Sequence, residues 1–205
     1  MPQIHDESGQ SADLPFLMAI KDVYTLSGRG TVVSGTVEQG TIRRHEAVEI
    51  VGLRDTVATT VTSSATFSKG GDVCRAGDEA AFLLRDIQEE EVGRGQVVAA
   101  PGSVRSHTSF EADIDFLTAE AGGRTTPITE GYKPQIRVRT AEVPSGIELP
   151  EGTGTINPGD TVHTRVTIRK SVALSVGGSF EATEPIGAGD ATHTVGRGTI
   201  TDIIE

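Results

Sequence analysis

The stretch that decides the fold is TLSGRGTVVSGTVEQGTIRRHEAVEIV, Thr25–Val51. It predicts three short strands joined by turns, because β-branched residues recur in short runs and Val48 alternates with Ile50. Glycines separate these runs at turn or bulge positions, where glycine tolerates a positive φ: Gly28, Gly30, Gly35 and Gly40. The segment has one glycine too few for a nucleotide-binding loop and no helical pattern after it, so a β-barrel meander is favoured.

Strand patterns continue on both sides of this stretch. Residues 1–13 are polar, have no apolar period and are expected to form a disordered leader. Alternating patterns run from Pro15 to Pro101 and restart at His107, and no segment has the caps and length of a helix. We therefore predict an all-β chain of two consecutive antiparallel β-barrels, residues 14–104 and 105–205.

Composition excludes several classes of protein. The 205 residues include 25 glycines, no tryptophan and one cysteine, so an intramolecular disulfide is impossible. The net charge of -11 argues against indiscriminate nucleic-acid binding, and no DNA partner is expected. No apolar run approaches the ~20 residues of a membrane helix, and the amino terminus lacks the pattern of a secretory signal. A cytoplasmic protein is therefore expected.

No catalytic or metal-binding constellation stands out. The five histidines are scattered, Cys74 has no neighbouring base in sequence, and Glu89–Glu91 is typical of a solvated connection. The pattern G-x-x-x-x-G-K-[ST] is absent, and the only asparagine is Asn157. We therefore expect no cofactor, no metal and no enzymatic activity from this chain alone.

Basic residues in the second half suggest a surface that could follow a phosphate backbone. Arg137 and Arg139 are expected to share one strand face, as are Arg165 and Arg169. If those strands are neighbours, seven cations line one stripe: Arg124, Lys133, Arg137, Arg139, Arg165, Arg169 and Lys170. The alternative is an ordinary exposed face whose arginines pair with acids such as Glu142.

Several long motifs carry a family resemblance. PFLMAIKDVYTLSGRGTVVSGTVEQG and LLRDIQEEEVGRGQVVAAPGSV resemble the second domain of bacterial elongation factor Tu. HTSFEADI, GGRTTPITEGYKPQIRVRTAEV and ELPEGTGTINPGDTVHTRVTI resemble its third domain, so the likeness spans about Leu14 to Ile204. It implies two β-barrels of the translation-factor type, and as partners transfer RNA, a GTPase domain and a nucleotide exchange factor. The family's GTPase domain would precede Leu14, so these residues alone are expected neither to bind nor to hydrolyse GTP.

The resemblance assigns candidate contacts to transfer RNA. In the third domain, Arg124 of GGR, Gln135 of YKPQ and Lys170 stand where the family contacts the T-stem. Thr125 departs from the family, which carries a histidine there.

In the second domain, Arg94 of GRGQ matches the arginine that meets the 5′ end of the acceptor. Leu26, Val32 and Leu83 match the apolar walls of the pocket for the terminal adenine.

The polar part of that pocket departs from the family. The family's VEMFR is replaced by residues that include Ala65 and Ser68. The family's GEN corresponds to a stretch that ends in Glu79, and the middle residue of its IED is replaced by Lys21. Each lost hydrogen bond to a charged or buried group costs about 1–3 kcal/mol. Three interpretations stay open: an RNA-binding module of a divergent factor, a protein-interaction scaffold that has lost aminoacyl-tRNA recognition, and a fragment of a longer factor. The pocket could also be reshaped for another ligand.

Overall fold

The computed structural model describes residues 13–66, 73–186 and 191–204, and leaves the side chains of residues 64–66 undescribed. The predicted leader therefore lies outside the described residues except for Asp13, and so does Ser68. The chain divides into two compact units, Met1–Arg105 and Ser106–Glu205. In the described ranges the regular structure consists of strands and two short 3₁₀ turns, Glu89–Glu91 and Ala119–Ala121. No helix in these ranges is long and apolar enough to cross a membrane.

The first unit is a closed six-stranded antiparallel barrel, which we call barrel 1. Its strands follow the order β1-β2-β7-β5-β4-β8, and β3 pairs with β6 in a separate two-stranded sheet. The strands are β1 Leu17–Leu26, β2 Gly30–Gln39, β3 Thr41–Arg43, β4 Ala47–Gly52, β5 Arg54–Thr66, β6 Val73–Arg75, β7 Glu79–Leu84 and β8 Val97–Ala99. The predicted barrel is confirmed, but the predicted meander through Thr25–Val51 is wrong. The strands β2, β3 and β4 follow one another along the chain without pairing, because β2 lies beside β1 and β7, β3 beside β6, and β4 beside β5 and β8.

The second unit, barrel 2, is also a closed six-stranded antiparallel barrel, with the order β10-β11-β12-β9-β14-β13. Its strands are β9 Arg105–Phe116, β10 Gln135–Val138, β11 Ala141–Ile147, β12 Thr161–Leu174, β13 Ser179–Pro185 and β14 Thr192–Ile204. The predicted all-β class with two consecutive barrels is confirmed.

Alternation along the strands fills each barrel with apolar side chains. In barrel 1, Phe16 and Phe82 meet edge to face, with ring centroids 5.9 Å apart. In barrel 2, Phe110 and Phe180 meet in the same geometry at 5.3 Å. Such pairs add about 0.5–1.5 kcal/mol to the burial of their area. The inward positions are therefore committed to packing, and the outward positions are available for binding.

The glycines of the opening stretch serve two different purposes. Gly28, Gly30 and Gly40 have the positive φ values of 72°, 118° and 71°, as turn glycines should. Gly35 instead lies within β2, opposite the bulge between Ile20 and Asp22 of β1. A Cβ on Gly35 would lie only 2.0 Å from the backbone oxygen of Ala19. Close strand approach, rather than a turn, requires this glycine.

The predicted basic stripe is wrong in two respects. Strand β10 ends at Val138, and Arg139 has a φ of 53° in the turn that follows, so it does not continue the strand face of Arg137. Strand β11 separates β10 from β12, so the strands of Arg137 and Arg165 are not neighbours. Two-residue periodicity identifies the exposed face of a strand, but it does not identify the strand beside it.

Candidate functional site

Barrel 1 brings the three predicted wall residues together. Val32 of β2 pairs with Leu83 of β7 and with Tyr24 of β1, while Leu26 pairs with Gly30. Directly opposed residues project from the same side of a sheet. A methyl group on Gly30 would lie 3.7 Å from Cδ1 of Leu83, so the position opposite Leu26 is also close to Leu83. Tyr24, Leu26, Val32 and Leu83 therefore form one surface, which we call the outer apolar patch.

The outer apolar patch is partly open to solvent. Leu26 is 39% exposed and Tyr24 is 41% exposed, whereas Val32 is only 4% exposed beneath them. Sequence analysis did not select Tyr24, although it lies two residues before Leu26 and so on the same strand face. An exposed aromatic ring beside aliphatic side chains is a surface on which a nucleic-acid base can stack.

Two departures from the family pattern form an ion pair with each other. The Lys21 Nζ lies 2.8 Å from Oε1 of Glu79 and donates to Oγ1 of Thr36 at 2.6 Å. The Thr36 hydroxyl donates to the same carboxylate. The bond from Lys21, followed by that from Thr36, holds the pKa of Glu79 below its ordinary value. Lys21, at the bulge of β1, and Glu79, at the start of β7, thus compensate each other's charge.

Arg94 occupies an exposed turn before β8, which begins at Val97. The turn is anchored by buried Gln96, whose Oε1 accepts from the Gly93 amide at 2.8 Å. The Ile20 amide also donates to the backbone oxygen of Gln96 at 2.9 Å. A fixed backbone on either side therefore presents the Arg94 side chain to solvent.

Barrel 2 places two of the predicted T-stem residues on nearby strands. Gln135 at the start of β10 pairs with Pro144 of β11. The next residue, Ser145, pairs with Ile168 of β12, two positions before exposed Lys170. Gln135 and Lys170 are therefore separated by one strand.

Arg124, in the loop between β9 and β10, is held by a cluster that sequence analysis missed. Its Nη1 pairs with Oε1 of Glu184 on β13, and its guanidinium lies 5.2 Å from the ring centroid of Tyr132. The Tyr132 hydroxyl donates to the same Glu184 oxygen at 2.7 Å. Burial, followed by this bond to Glu184, raises the pKa of Tyr132. We call Arg124, Tyr132 and Glu184 the Arg124 clamp.

The Arg124 clamp lies beside Gln135, because Gln135 pairs with Thr183, the neighbour of Glu184. Arg124 and Gln135 are thus neighbours, whereas Lys170 lies two strands from Gln135, on β12. Thr125 is exposed in the same loop. Only the tyrosine of the YKPQ motif gave a sequence signal for the clamp, since Glu184 is distant along the chain.

Two arginines of the predicted stripe are interleaved with acids. Arg137 lies 3.4 Å from a carboxylate oxygen of both Glu142 and Glu181. Arg165 lies 3.7 Å from Glu111. These contacts favour the alternative of an ordinary ion-paired face for this part of barrel 2.

Three cations differ from these arginines. Lys133, Arg169 and Lys170 are exposed and form no ion pair with another described residue. Because no ion pair with a described residue has to be broken, these side chains can bind a phosphate at a low cost in free energy.

The described residues contain no group of three or more histidine, cysteine and acidic side chains that could hold a metal ion. Cys74 is buried in barrel 1. Of the family-pattern departures, Ser68 lies outside the described residues and the side chain of Ala65 is not described.

Comparison with protein families identifies both barrels. Residues 30–99 match elongation factor Tu domain 2. Residues 103–204 match the elongation factor Tu C-terminal domain. These matches include Val32 and Leu83 of the outer apolar patch, the turn of Arg94 and the whole Arg124 clamp. The chain therefore belongs to the elongation factor Tu family through its second and third domains, and it carries a translation-elongation-factor-like module.

Proposed function

We propose that the two barrels bind transfer RNA as an elongation-factor module, with barrel 2 contacting the T-stem and barrel 1 the acceptor end. The observation that carries this proposal is that Arg124 and Gln135 lie side by side, with exposed Lys170 two strands away, in a barrel that matches the elongation factor Tu C-terminal domain. The two matched domains contribute binding, and nucleotide hydrolysis belongs to a GTPase domain. The module acts in the cytoplasm.

Barrel 2 binds the RNA backbone through a local group of donors rather than through a broad basic field. Exposed Lys170 supplies a positive charge, Gln135 supplies an amide, and Arg124 supplies a planar guanidinium suited to phosphate. Lys133 and Arg169, which form no ion pair with another described residue, add exposed positive charge in the same barrel. This local arrangement is compatible with the net charge of -11, because phosphate contacts depend on nearby cations.

Barrel 1 binds the acceptor end. The outer apolar patch receives the terminal base, and Arg94 contacts the phosphate at the 5′ end. The Lys21–Glu79 ion pair replaces the family's polar groups near the aminoacyl position. Because this pair is neutral overall and its hydrogen bonds are made internally, we expect little discrimination between charged and uncharged transfer RNA.

Protein partners complete the proposed function. A GTPase domain and a nucleotide exchange factor are the partners that the family resemblance implies. The ion-paired face of barrel 2 around Arg137 suits such contacts, since alternating charges favour specificity over affinity.

Titration of the chain against total transfer RNA, charged and uncharged, at two salt concentrations tests the proposal. We expect salt-sensitive binding that depends little on charging. Lys170→Ala should weaken binding and lower the slope of log affinity against log salt by about one. Arg54→Ala, which removes an exposed arginine from barrel 1, is the matched control and should have little effect. The absence of binding at the lower salt concentration would overturn the proposal.

A further inference from the structure

We propose that a cavity on the outside of barrel 2 binds an arginine side chain of a protein partner. The cavity has a volume of about 660 Å³ and lies between the segment 130–133 and the loop 148–154, with Gly146 and Thr167 also in its lining. We call it the glycine cavity. The inference goes beyond the proposed function, because it concerns a protein ligand and does not depend on RNA binding.

The walls of the glycine cavity are fixed by backbone hydrogen bonds. The Ile147 amide donates to the backbone oxygen of Tyr132 at 3.1 Å, which ties the segment 130–133 to the end of β11. At the other end, the Ile128 amide donates to Ile156 at 2.8 Å, and the Ile156 amide donates to Ile128 at 3.0 Å. These bonds tie the two walls together, so the cavity is largely formed before a ligand arrives.

Four glycines leave the glycine cavity open. A Cβ at any of them would have no heavy atom of another element within 4 Å: Gly131, Gly146, Gly152 and Gly154. Gly131 and Gly152 have φ values of 81° and 78°, which glycine adopts without strain. Gly146 and Gly154 lie outside that left-handed region, so the backbone there would accept a side chain. The volume therefore exists because these positions carry no side chain.

The charge around the glycine cavity favours a cation. Three exposed glutamates and one exposed lysine line it: Glu130, Glu148, Glu151 and Lys133. The three carboxylates form no ion pair with another described residue. A phosphate would meet more negative than positive charge here, whereas a cation would gain unpaired acceptors.

The apolar part of the lining suits the stem of an arginine. Leu149 and Pro150 are half-buried on one side of the cavity, and Tyr132 is half-buried on the other. An arginine lays its aliphatic stem along such a surface and keeps its charged head among polar groups. Its planar guanidinium has five donors and is more weakly hydrated than an ammonium, so it can bind several carboxylates at a lower cost of desolvation than lysine.

Amide NMR titration of the whole chain with the acetylated and amidated peptide GLRLG tests the inference. We expect the largest shifts at the glycine amides of the cavity. A peptide with citrulline in place of arginine keeps the shape and removes the charge, and it should bind at least about fivefold more weakly. A peptide with lysine should bind about twofold to threefold more weakly. Equal affinities for the arginine and citrulline peptides would overturn the inference.

Filling the cavity is the second arm of the test. Gly146→Leu should abolish the shifts caused by the arginine peptide, because its side chain occupies the open space. Gly146→Ala adds a single carbon and should cause only a small loss of affinity. Thermal unfolding of each variant reports whether it folds, and Gly154→Leu replaces Gly146→Leu if the latter does not. Unchanged binding to a folded leucine variant would exclude the cavity as the site.

Removal of one carboxylate is the third arm. Glu148→Gln should weaken binding of the arginine peptide about threefold, the range of a solvent-exposed ion pair. Glu120→Gln is the matched control, since it removes an exposed acid of barrel 2 that does not line the cavity. An equal loss in the two variants would indicate a general field effect and would overturn the inference.

Total transfer RNA at low salt separates this inference from the proposed function. If RNA shifts the cavity glycines and the arginine peptide does not, the cavity belongs to RNA binding and the inference is overturned. If the peptide binds in the cavity and the chain binds no RNA, the proposed function fails and the inference stands.

Discussion

Barrel 1 and barrel 2 share an interior plan and differ on their outer faces. Each closes six antiparallel strands around an edge-to-face phenylalanine pair. Outside, barrel 1 shows the outer apolar patch and the ion pair between Lys21 and Glu79. Barrel 2 instead carries a row of charges in register across four strands: Arg137, Glu181, Arg197 and Asp115.

This difference shows where the function of each barrel is encoded. Inward side chains must pack in both units, so both barrels have apolar residues at these positions, and these residues stabilise the fold. Outward residues are free of that requirement, and they give barrel 1 a partly exposed apolar surface and barrel 2 a surface of interleaved charges. Fold and function therefore reside in alternate residues of the same strands.

The largest expected effect tests the interior plan. Gly35→Ala should destabilise barrel 1 by about 3 kcal/mol, because its Cβ would overlap the backbone oxygen of Ala19. Gly198→Ala in barrel 2 should cost about 1–2 kcal/mol, because the obstacle is mainly the Phe180 ring, which can shift. Urea unfolding followed by amide NMR signals of each barrel measures both. Gly93→Ala is the control, since no heavy atom lies within 4 Å of its Cβ.

A similar unfolding midpoint for Gly35→Ala and Gly93→Ala would contradict the assignment of Gly35 to close strand approach.

The second effect tests the outer apolar patch. Leu26→Ser should weaken binding of a single-stranded RNA that ends in adenosine about tenfold, because burying a leucine side chain against a ligand contributes about 1.5–3 kcal/mol. Fluorescence anisotropy with a labelled oligonucleotide measures the affinity. Leu14→Ser alters another exposed leucine of barrel 1, 49% exposed, and serves as the matched control. Equal affinities for the two variants would remove the patch from the binding surface.

The third effect concerns the charged face of barrel 2. Nδ1 of His163 lies 2.7 Å from Asp113, and Nε2 lies 3.5 Å from Glu111, which also faces Arg165. The bond to Asp113 raises the pKa of His163. Its stabilising contribution is therefore complete below the ordinary histidine pKa of about 6.5 and is lost as pH rises through the raised value.

His163→Gln should accordingly flatten the fall in the urea midpoint of barrel 2 as pH rises from the ordinary histidine pKa of about 6.5 through the raised value. His45→Gln, at an exposed position of barrel 1, is the control and should leave that profile unchanged. An unaltered slope in His163→Gln would show that the cross-strand contact contributes no pH dependence.

The smallest effect concerns the ion pair of barrel 1. Lys21→Met should return the pKa of Glu79 toward its ordinary value, and Thr36→Val should return it by a smaller amount. Since the folded pKa is lowered, the contribution of Glu79 to stability is present above its ordinary pKa and is lost as pH falls through the lowered value. An NMR titration of the Glu79 carboxyl carbon measures the shift. An unchanged pKa of Glu79 in Lys21→Met would show that Lys21 does not interact with the Glu79 carboxylate.

Much of the fold was predictable from the sequence, and so was part of the site. The alternation of Val48 with Ile50, and of Phe110 with its acidic neighbours, indicated strands with one buried face. The family motifs indicated Leu26, Val32 and Leu83, and strand pairing places those three on one surface. Local periodicity and local motifs were sufficient for these features, because each depends on residues a few positions apart.

The errors and omissions have one physical cause: each concerns a contact between residues that are distant along the chain. The stripe prediction assumed that the strands of Arg137 and Arg165 are neighbours. The assignment of Gly35 to a turn or bulge position did not anticipate the close approach of the Ala19 carbonyl beside the bulge of β1. The partnership of Lys21 with Glu79, and that of Arg124 with Glu184, had no local signal.

The sequence by itself determined the all-β class, the two barrels and the face that each strand buries, because apolar residues recur along the strands with a period of two. The tertiary structure alone decided which outward side chains meet. Pairing order and register in a closed barrel depend on packing around the whole circumference, and a shift of one residue exchanges the two faces of a strand. The Arg124 clamp and the Lys21–Glu79 ion pair are products of that register.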